Sequence, residues 1–275
     1  MKIIKFFSLA LAGALLVLSA CKNDNGNEPK GPEKPDPTPI DKVTDACGNT
    51  YPVVKIGEQY WMAENLRCNK YANQSEAYNA SWLTNNTIPT SEDYTYTPYY
   101  TDASDKSKWA YDDYAGNLTD EQIEKLGYLY NWAAAVGVVD GKKQTTAFSG
   151  NRQGICPNGW HIPSGAEWQA LKDYIEKTDG KGTDTAGKHL KTTSGWNSGG
   201  NGLDTYDFAA LPAGGADGGS VYYVGGDTGF WTATPYPYES DSYGAYFRYL
   251  DYNNGNLGDY YTNKYYGRSV RCLRN

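Results

Sequence analysis

The sequence predicts a mixed α+β domain with short antiparallel strands, one or two helices and long loops. Three observations support this fold class: an apolar hairpin pattern near residue 50, a capped amphipathic helix near residue 164, and short apolar runs separated by Gly and Asn in the last third of the chain. Alternating apolar residues indicate half-buried strands, whereas apolar residues spaced three and four apart indicate a helix. We therefore expect short regular elements joined by long irregular segments.

The first twenty residues predict a lipoprotein signal peptide. Lys2 and Lys5 supply a short positive segment, and residues 6–20 form an almost unbroken apolar run. This run is shorter than the roughly 20 apolar residues of a membrane-spanning helix and has the length of a signal-peptide core. It ends at Leu18-Ser19-Ala20-Cys21, which resembles a bacterial lipobox, so we expect Cys21 to carry lipid. The alternative is an ordinary secretory peptide with a chance Cys.

Residues 21–42 predict a disordered tether. The segment is rich in Pro, Gly, Asn and charge, and Ile40 is its one aliphatic residue, so it cannot bury enough apolar surface to order itself. Its prolines favour an extended chain of roughly 3 Å per residue. Lys22, rather than Asp, follows the lipidation site. We therefore expect anchoring to the outer membrane through the N-terminal lipid, with the domain facing the cell exterior.

Residues 43–275 are long enough for one large domain with its own core. The whole chain has a net charge of -7 and lacks a basic stripe, which argues against a nucleic-acid partner. Its 26 Tyr and 8 Trp are typical of extracellular β-rich proteins and of sites that bind polar polymers. The alternative is that many of these rings simply line strands, where aromatic residues are favoured.

Four cysteines remain once Cys21 is lipidated, and an even number in an exported protein predicts two disulfides. The sequence allows three pairings. We favour Cys47–Cys68, which would close a local hairpin, together with Cys156–Cys272, which would tie the last strand to the middle of the fold. The absence of Cys-x-x-Cys and the presence of only 2 His disfavour a metal site, and no cofactor is expected.

The first half of the domain contains one clear hairpin signal. Thr50–Ile56 and Gln59–Met62 read as strands on either side of Gly57-Glu58. Residues 69–118 show no clean period and predict a functional or irregularly packed insertion. Thr119, with Gln122 three residues later, predicts a capped helix start, and residues 128–135 are apolar enough to be buried.

The clearest helix is predicted at residues 164–177. Ser164 and Glu167 have the spacing of a capping box, and the apolar face of the helix then recurs at helical spacing. Gly-containing residues 180–182 end the helix. The later apolar runs read as strands and turn-linked loops of a small antiparallel sheet; they are residues 208–215, 229–234, 245–250 and 267–273.

Several ordered motifs resemble the Fibrobacter succinogenes major paralogous domain, which is found on exported lipoproteins of Bacteroidetes and Fibrobacteres. The resemblance runs from about Asp45 to the end of the chain. Its motifs are Gln59-Tyr60-Trp61-Met62-Ala63-Glu64-Asn65-Leu66, Cys156-Pro157-Asn158-Gly159-Trp160-His161-Ile162-Pro163-Ser164, Phe208-Ala209-Ala210-Leu211-Pro212-Ala213-Gly214, Phe230-Trp231-Thr232-Ala233-Thr234 and Ser269-Val270-Arg271-Cys272. The resemblance implies a fold related to C-type lectin-like domains. It also supports the pair Cys156–Cys272, because both cysteines fall within the motifs.

The resemblance does not carry the best-known activities of related folds. The calcium-dependent sugar motifs of lectins are missing, and Trp196-Asn197-Ser198 lacks the acid of the Trp-Asn-Asp motif. The formylglycine-generating enzymes need reactive thiols, whereas the cysteines here are explained as disulfides. No catalytic motif for acyl or phosphoryl transfer is present, so we expect no enzymatic activity, no catalytic residues and no bound metal.

Individual motif residues have simple expected roles. Trp160 is expected in the core, and His161 is expected to be a hydrogen-bonded structural residue. Trp231 could serve as core or as a ligand platform. Glu64 and Asn65 are expected to satisfy buried backbone groups.

The sequence leaves three functional hypotheses. The first is a surface binding module or adhesin for a glycan or another polymer, and the second is a structural or assembly component of a surface complex, such as a fimbrial tip or an envelope scaffold. The third and least favoured is an enzyme. The expected partner is a glycan or a protein at the cell surface. The candidate binding residues are aromatic rings in the loops: Trp82, Trp109, Tyr222, Tyr223, Tyr236, Tyr238, Tyr260 and Tyr261.

Overall fold

The computed structural model describes residues 42–72, 99–110, 117–138, 140–141, 144–180, 182–217, 220–237 and 243–275. The chain divides into two units, residues 1–31 and residues 32–275, and every described residue belongs to the second unit. The predicted signal peptide, the lipidation site Cys21 and the predicted tether up to residue 41 lie outside the described residues.

The described residues contain short strands, one long helix and three helices of five residues. The strands are β1 (Lys42–Thr44), β2 (Thr50–Ile56), β3 (Gln59–Met62), β4 (Tyr100–Asp102), β5 (Tyr128–Tyr130), β6 (Trp160–His161), β7 (Gly215–Asp217), β8 (Ser220–Tyr222), β9 (Asp227–Pro235), β10 (Gly244–Asp251), β11 (Gly258–Asn263) and β12 (Leu273–Arg274). The helices are α1 (Asp120–Glu124), α2 (Trp132–Val136), α3 (Gly165–Asp179) and α4 (Ala186–Leu190).

The largest sheet has the strand order β1-β2-β3-β12-β6, and its neighbouring strands are antiparallel. The predicted hairpin is confirmed as β2 and β3, with Gly57 at a φ of 61° in the turn between them. A positive φ favours Gly at such a turn. Leu273 of β12 pairs with Trp61 on one side and His161 on the other. The end of the chain is therefore held in the interior of this sheet.

Both predicted disulfides are present. Cys47–Cys68 spans 21 residues, and Cys156–Cys272 spans 116 residues. Cys272 directly precedes β12, and Cys156 lies in the segment that leads into β6. The longer bridge therefore joins two segments that also meet through the pairing of β12 with β6.

The predicted helix is confirmed as α3, and its capping box is formed by Ser164 and Glu167. Trp168, Leu171 and Ile175 are buried, as the apolar spacing requires. The ring of Trp168 lies 4.5 Å from that of Trp61 in β3, measured between centroids. The helix ends at Gly180, which has a left-handed φ of 65°. This contact packs α3 against the large sheet.

The other two predictions in the first half of the domain are also confirmed. Thr119 and Gln122 form a capping box at the start of α1. The apolar segment 128–135 is largely buried, and it contains β5 followed by most of α2. Asn131 separates the two elements and caps α2 by accepting a hydrogen bond from the N–H of Ala134 at 2.9 Å. The short polar residue thus allows an extended strand to turn into a helix.

Two of the four late apolar runs form long strands, and two are mainly irregular. Residues 229–234 lie within β9 and residues 245–250 within β10, and β11 completes an antiparallel sheet of order β11-β10-β9. The run 208–215 is irregular because Ala209 has a left-handed φ of 52° and Pro212 lacks an N–H. Residues 267–269 form bridges with Ala216, Tyr130 and Phe230, so no continuous ladder forms.

The fold is therefore a mixture of helix and mostly antiparallel sheet, as predicted, although its helices exceed the one or two expected. The described residues form three apolar clusters in its interior. Trp160 and Trp231 are buried in the first cluster, which settles Trp231 as core rather than as a ligand platform. Among the helices of the described ranges, none has both the length and the apolar content needed to cross a membrane.

Candidate binding pocket

A pocket of about 380 Å³ lies between the β7–β8 hairpin and the segment that follows β11. Its size is in the range of small-ligand sites. Tyrosine rings and two oppositely charged side chains contribute most of its chemistry. The lining residues are Gly215, Ala216, Asp217, Tyr222, Tyr223, Tyr266 and Arg268.

Backbone pairing brings the two walls of the pocket together. Within the hairpin, Gly215 pairs with Tyr222. On its other side, Ala216 forms an antiparallel bridge with Gly267, and their two backbone hydrogen bonds measure 3.0 and 2.9 Å. This bridge places residues on either side of Gly267 beside β7. Pocket residues that are distant in the chain are therefore adjacent in space.

Tyr223 is held in an unusual backbone conformation at the mouth of the pocket. Its φ is 61° and its side chain is 52% exposed. Its carbonyl oxygen accepts hydrogen bonds from the N–H groups of Gly226 at 2.8 Å and Asp227 at 3.1 Å. A left-handed conformation costs a non-glycine residue roughly 1–2 kcal/mol. Such strain in an exposed aromatic residue beside a pocket points to function.

Arg268 reaches the pocket over an aromatic ring. Its guanidinium carbon lies 4.8 Å from the centroid of the Phe247 ring. A Cβ on Gly215 would lie 2.1 Å from Nη1 of Arg268, and a Cβ on Gly229 would lie 2.8 Å from its Cδ. Both glycines are therefore needed to leave room for the arginine side chain.

A buried carboxyl group lies near Arg268. Burial raises the pKa of Asp227 to about 6, and the positive charge of Arg268 opposes that rise. Oδ1 of Asp227 has no hydrogen-bond partner in the part of the chain that the structure describes. Burial lowers the pKa of Arg268, and Asp227 in turn opposes that change. Because arginine has a very high ordinary pKa, Arg268 stays positively charged at neutral pH.

The structure places the predicted binding residues in more than one location. Tyr222 and Tyr223 line the pocket. The rings of Tyr236 and Tyr261 stack with their centroids 4.0 Å apart, outside the pocket lining. Tyr260 lies on the opposite face of β11 from Tyr261, because successive strand residues alternate. The predicted binding residues that the structure describes therefore do not form a single platform.

The remaining predicted binding residues are not found among the residues that line the pocket. Trp109 is half-buried and packs against an apolar cluster, and its indole N–H donates to the carbonyl oxygen of Ala103 at 2.9 Å. It does not line the pocket, although its backbone forms a bridge with Val221, the residue before Tyr222. Trp82 and Tyr238 lie outside the described residues, so the structure does not place them.

Tyr260 connects indirectly to the pocket through rings. It pairs with Phe247 across β10 and β11, and their ring centroids lie 6.2 Å apart. Phe247 is the ring beneath the guanidinium of Arg268. An exposed tyrosine on the sheet, a buried phenylalanine and the pocket arginine therefore form a continuous set of contacts.

Both histidines are structural. Nδ1 of His161 faces Oδ1 of Asn275 at 2.7 Å, and its Nε2 faces Oε1 of Glu167 at 3.0 Å. His189 is also buried, between the Oγ1 of Thr205 at 2.7 Å and the Oδ1 of Asp179 at 3.2 Å. Both nitrogens of each ring are engaged inside the fold, which confirms the expected role of His161.

Glu64 and Asn65 are adjacent in one motif but have different contacts. Asn65 satisfies a buried backbone group as expected, since its side-chain amide donates to the carbonyl oxygen of Leu126 at 2.8 Å. Glu64 instead forms ion pairs with Arg67 at 2.9 Å and Lys125 at 3.8 Å. The expectation for Glu64 was wrong because its carboxylate is close enough to two cations to pair with them.

One group of potential metal ligands occurs in the described ranges, and it contains Asp45, Cys47 and Cys68. The two sulfur atoms are bonded to each other in a disulfide. Oδ1 of Asp45 accepts hydrogen bonds from the N–H groups of Cys47 at 2.8 Å and Asn49 at 3.0 Å. The group is therefore better described as a disulfide next to an aspartate-stabilised turn.

Sequence reasoning missed three pocket residues that carry charge or a hydroxyl: Asp217, Tyr266 and Arg268. Arg268 lies within an apolar run whose pattern predicts a strand or a turn-linked loop, and nothing in its neighbours marks it as a site residue. The sequence feature that could have marked the site is Gly215, which leaves room for Arg268. This role depends on contact with a residue more than fifty positions away, so the sequence alone does not reveal it.

Comparison with known proteins gives one match. The family described as Fibrobacter succinogenes major domain matches residues 54–274. That range extends from β2 to β12 and includes every residue that lines the pocket. No curated protein and no solved structure matches the chain.

Proposed function

This chain belongs to the Fibrobacter succinogenes major domain family, and we propose that it is a surface binding module that recognises a glycan or another polar polymer. The observation that carries the proposal is the pocket in which Tyr222, Tyr223 and Tyr266 accompany Asp217 and Arg268. Tyrosine rings offer apolar faces to sugar rings, and the polar groups can bond hydroxyls. We propose ligand binding rather than turnover as the role of this pocket.

The strained backbone of Tyr223 supports the same role. The residue keeps a large exposed ring where a glycine would relieve the backbone strain. Exposed polar-aromatic rings of this kind are common in protein surfaces that recognise ligands, because they bury much area with little loss of side-chain freedom.

We also propose that the domain is presented outside the cell on a lipid anchor. The support is the Leu18-Ser19-Ala20-Cys21 motif at the end of an apolar leader, followed by a Pro-rich segment. In this proposal Cys21 carries the lipid, the outer membrane holds the anchor, and residues 21–42 separate the domain from the membrane surface. Mass spectrometry of the N-terminal peptide of the mature protein tests the lipid directly.

At a finer level, we propose that the domain has a C-type lectin-like fold. The support is that β1 and β12 lie in the same antiparallel sheet, that one long helix packs against this sheet, and that long irregular segments join the later strands. The calcium-dependent sugar motifs are missing from the sequence, so we propose binding that does not require calcium.

The experiment is a glycan array probed with the full chain in mild detergent, with and without a calcium chelator. Tyr222→Ala and Tyr223→Ala should each weaken binding to any hit by about tenfold, since stacking on an aromatic ring is worth on the order of 1 kcal/mol or more. Tyr174→Ala is the matched control, because Tyr174 is also exposed but lies on α3. Equal binding by all variants would place the ligand elsewhere.

The edge strand β11 of the three-stranded sheet favours assembly into a surface complex as a second candidate function. Within the described residues β11 pairs only with β10, and Tyr260 and Tyr261 are 54% and 50% exposed. Open strand edges can pair with a strand of another protein. Crosslinking on intact cells should then recover a stoichiometric partner that is lost with Tyr261→Lys and retained with Tyr174→Lys.

A further inference from the structure

Arg268 differs from the other arginines of the described residues in how its positive charge is satisfied. Arg152 donates to the carbonyl oxygens at the end of α2, and Arg271 donates to Asn65 and to backbone carbonyls. The side chain of Arg268 makes no hydrogen bond or ion pair with another described residue, and among these residues its buried Nε has no partner. A buried N–H group without an acceptor is costly, and the rest of this guanidinium is only partly buried.

The side chain of Arg268 is nevertheless held in place. The backbone of Arg268 and that of Tyr130 exchange hydrogen bonds of 2.9 and 2.8 Å. The Phe247 ring supports the guanidinium, and Gly215 and Gly229 leave space that a Cβ would fill. The planar donor group is thus fixed in position before any ligand arrives, which reduces the ordering needed on binding.

The other pocket residues indicate what kind of molecule could meet this guanidinium. Tyr222, Tyr223 and Tyr266 supply rings and hydroxyl groups, and Asp217 supplies carboxylate oxygens that accept hydrogen bonds. A simple anion would be repelled by Asp217 and would offer it no donor. A ligand that combines hydroxyl donors with an acidic group can place its hydroxyls beside Asp217 and its acidic group beside Arg268.

We propose that the pocket recognises an acidic saccharide, in which a carboxylate or sulfate group on a sugar accepts hydrogen bonds from Arg268. This inference rests on the proposed function and names the ligand class of the same site. Guanidinium groups match carboxylates and sulfates well because their donors lie in a rigid fork. The sugar hydroxyls donate to Asp217, and the tyrosine rings contact the sugar face.

The test begins with an array that carries neutral, carboxylated and sulfated oligosaccharides, probed with the full chain in mild detergent. The strongest hit is then titrated beside a matched form in which its carboxylate is reduced to an alcohol or its sulfate is removed. The loss of the acidic group should weaken binding by about tenfold to a hundredfold. This comparison changes only the ligand, so it does not depend on how a variant folds.

Substitutions in the protein test whether Arg268 is the residue that recognises the acidic group. Arg268→Gln should reduce affinity for the acidic form to that for the matched neutral form, and Arg268→Lys should give an intermediate affinity because it keeps the charge but loses the fork. Arg274→Gln is the control for net charge, since Arg274 is exposed on β12 and does not line the pocket. It should bind like the unchanged protein.

The possible results separate the two proposals. A hit that requires Tyr222 but binds equally well without its acidic group overturns the acidic ligand and leaves the binding function standing. Binding that is insensitive to both Tyr222→Ala and Arg268→Gln overturns the use of this pocket. An array on which no oligosaccharide is bound overturns both the ligand class and the glycan-binding function.

Discussion

The hydroxyl oxygen of Tyr249 lies 3.0 Å from Oδ2 of the buried Asp227. The same hydroxyl lies 3.1 Å from Oδ2 of Asp251. Burial, together with these two carboxylates, raises the pKa of Tyr249, so the hydroxyl keeps its proton. One phenolic proton cannot serve two ionised carboxylates at once. Below about pH 6, a proton on Asp227 supplies the second hydrogen bond.

This arrangement predicts a specific dependence of stability on pH. Burial raises the pKa of Asp227 from 3.8 to about 6, so the folded state holds its proton more tightly than the unfolded state does. The stabilisation is fully present below pH 4 and is lost as the pH rises through about 6. A shift of about two pH units corresponds to an upper limit of about 3 kcal/mol.

The measurement is urea unfolding of the wild type and Asp227→Asn between pH 4 and pH 8. Asp227→Asn should lower the free energy of unfolding at pH 4. At pH 8 it should lower this free energy less, or raise it. The difference in free energy of unfolding between the two proteins should therefore change by about 2 kcal/mol over this range. An unchanged difference across this range would mean that Asp227 is not protonated within the fold near pH 5.

The two disulfides should contribute unequally to stability. In the chain-entropy model a closed loop of 21 residues is worth about 3 kcal/mol and one of 116 residues about 5 kcal/mol. We therefore expect Cys156→Ala with Cys272→Ala to lower the free energy of unfolding more than Cys47→Ala with Cys68→Ala. Thermal melting of the two double variants checks the order, and a larger loss for the shorter loop would contradict it.

Arg271 should be among the least replaceable side chains of the domain. It is almost fully buried, and it donates to Oδ1 of Asn65 at 2.7 Å and to the carbonyl oxygen of Ala209 at 2.9 Å. Arg271→Met leaves these acceptors without donors and should cost at least about 3 kcal/mol. Arg274 is exposed, so the control substitution Arg274→Met should lower the free energy of unfolding by less than about 1 kcal/mol.

A double-mutant cycle distinguishes a direct contact from general damage at this position. Arg271→Met and Asn65→Ala should be non-additive by at least about 1 kcal/mol in the free energy of unfolding, because they remove two ends of one hydrogen bond. Additive losses would mean that Arg271 stabilises the fold independently of Asn65.

The strained residue Tyr223 offers a prediction in which stability and binding diverge. Tyr223→Gly and Tyr223→Ala both remove the ring, but only Gly is comfortable at a φ of 61°. The glycine variant should therefore be more stable than the alanine variant by about 1 kcal/mol, while both bind the ligand about tenfold more weakly than the unchanged protein. Equal stability would show that the left-handed conformation is not retained in solution.

Local sequence signals predicted local structure well. The pairs Ser164 with Glu167 and Thr119 with Gln122 each satisfy orphan N–H groups within one helical turn, so their effect can be deduced from neighbouring residues alone. The cysteine pairing was also favoured correctly, because a short bridge closes a hairpin and a long one anchors the last strand.

The pocket could not be predicted in this way. Its walls meet through the bridge between Ala216 and Gly267, which depends on how the whole chain folds. The aromatic composition pointed to tyrosines, and tyrosines do line the pocket, but composition could not tell Tyr222 in the pocket from Tyr261 on the sheet edge. Among the described residues, the lack of a hydrogen-bond acceptor for the Arg268 side chain becomes visible only when the acceptors of the other arginines are known.

The most direct test of the pocket as a binding site is hydroxyl-radical footprinting of the unchanged protein with and without the best oligosaccharide from the array. Mass spectrometry then reports the oxidation rate of each tyrosine. We expect the ligand to protect Tyr222, Tyr223 and Tyr266 while the exposed Tyr174 on α3 reacts at an unchanged rate. Protection confined to other tyrosines, with these three unaffected, would contradict the account.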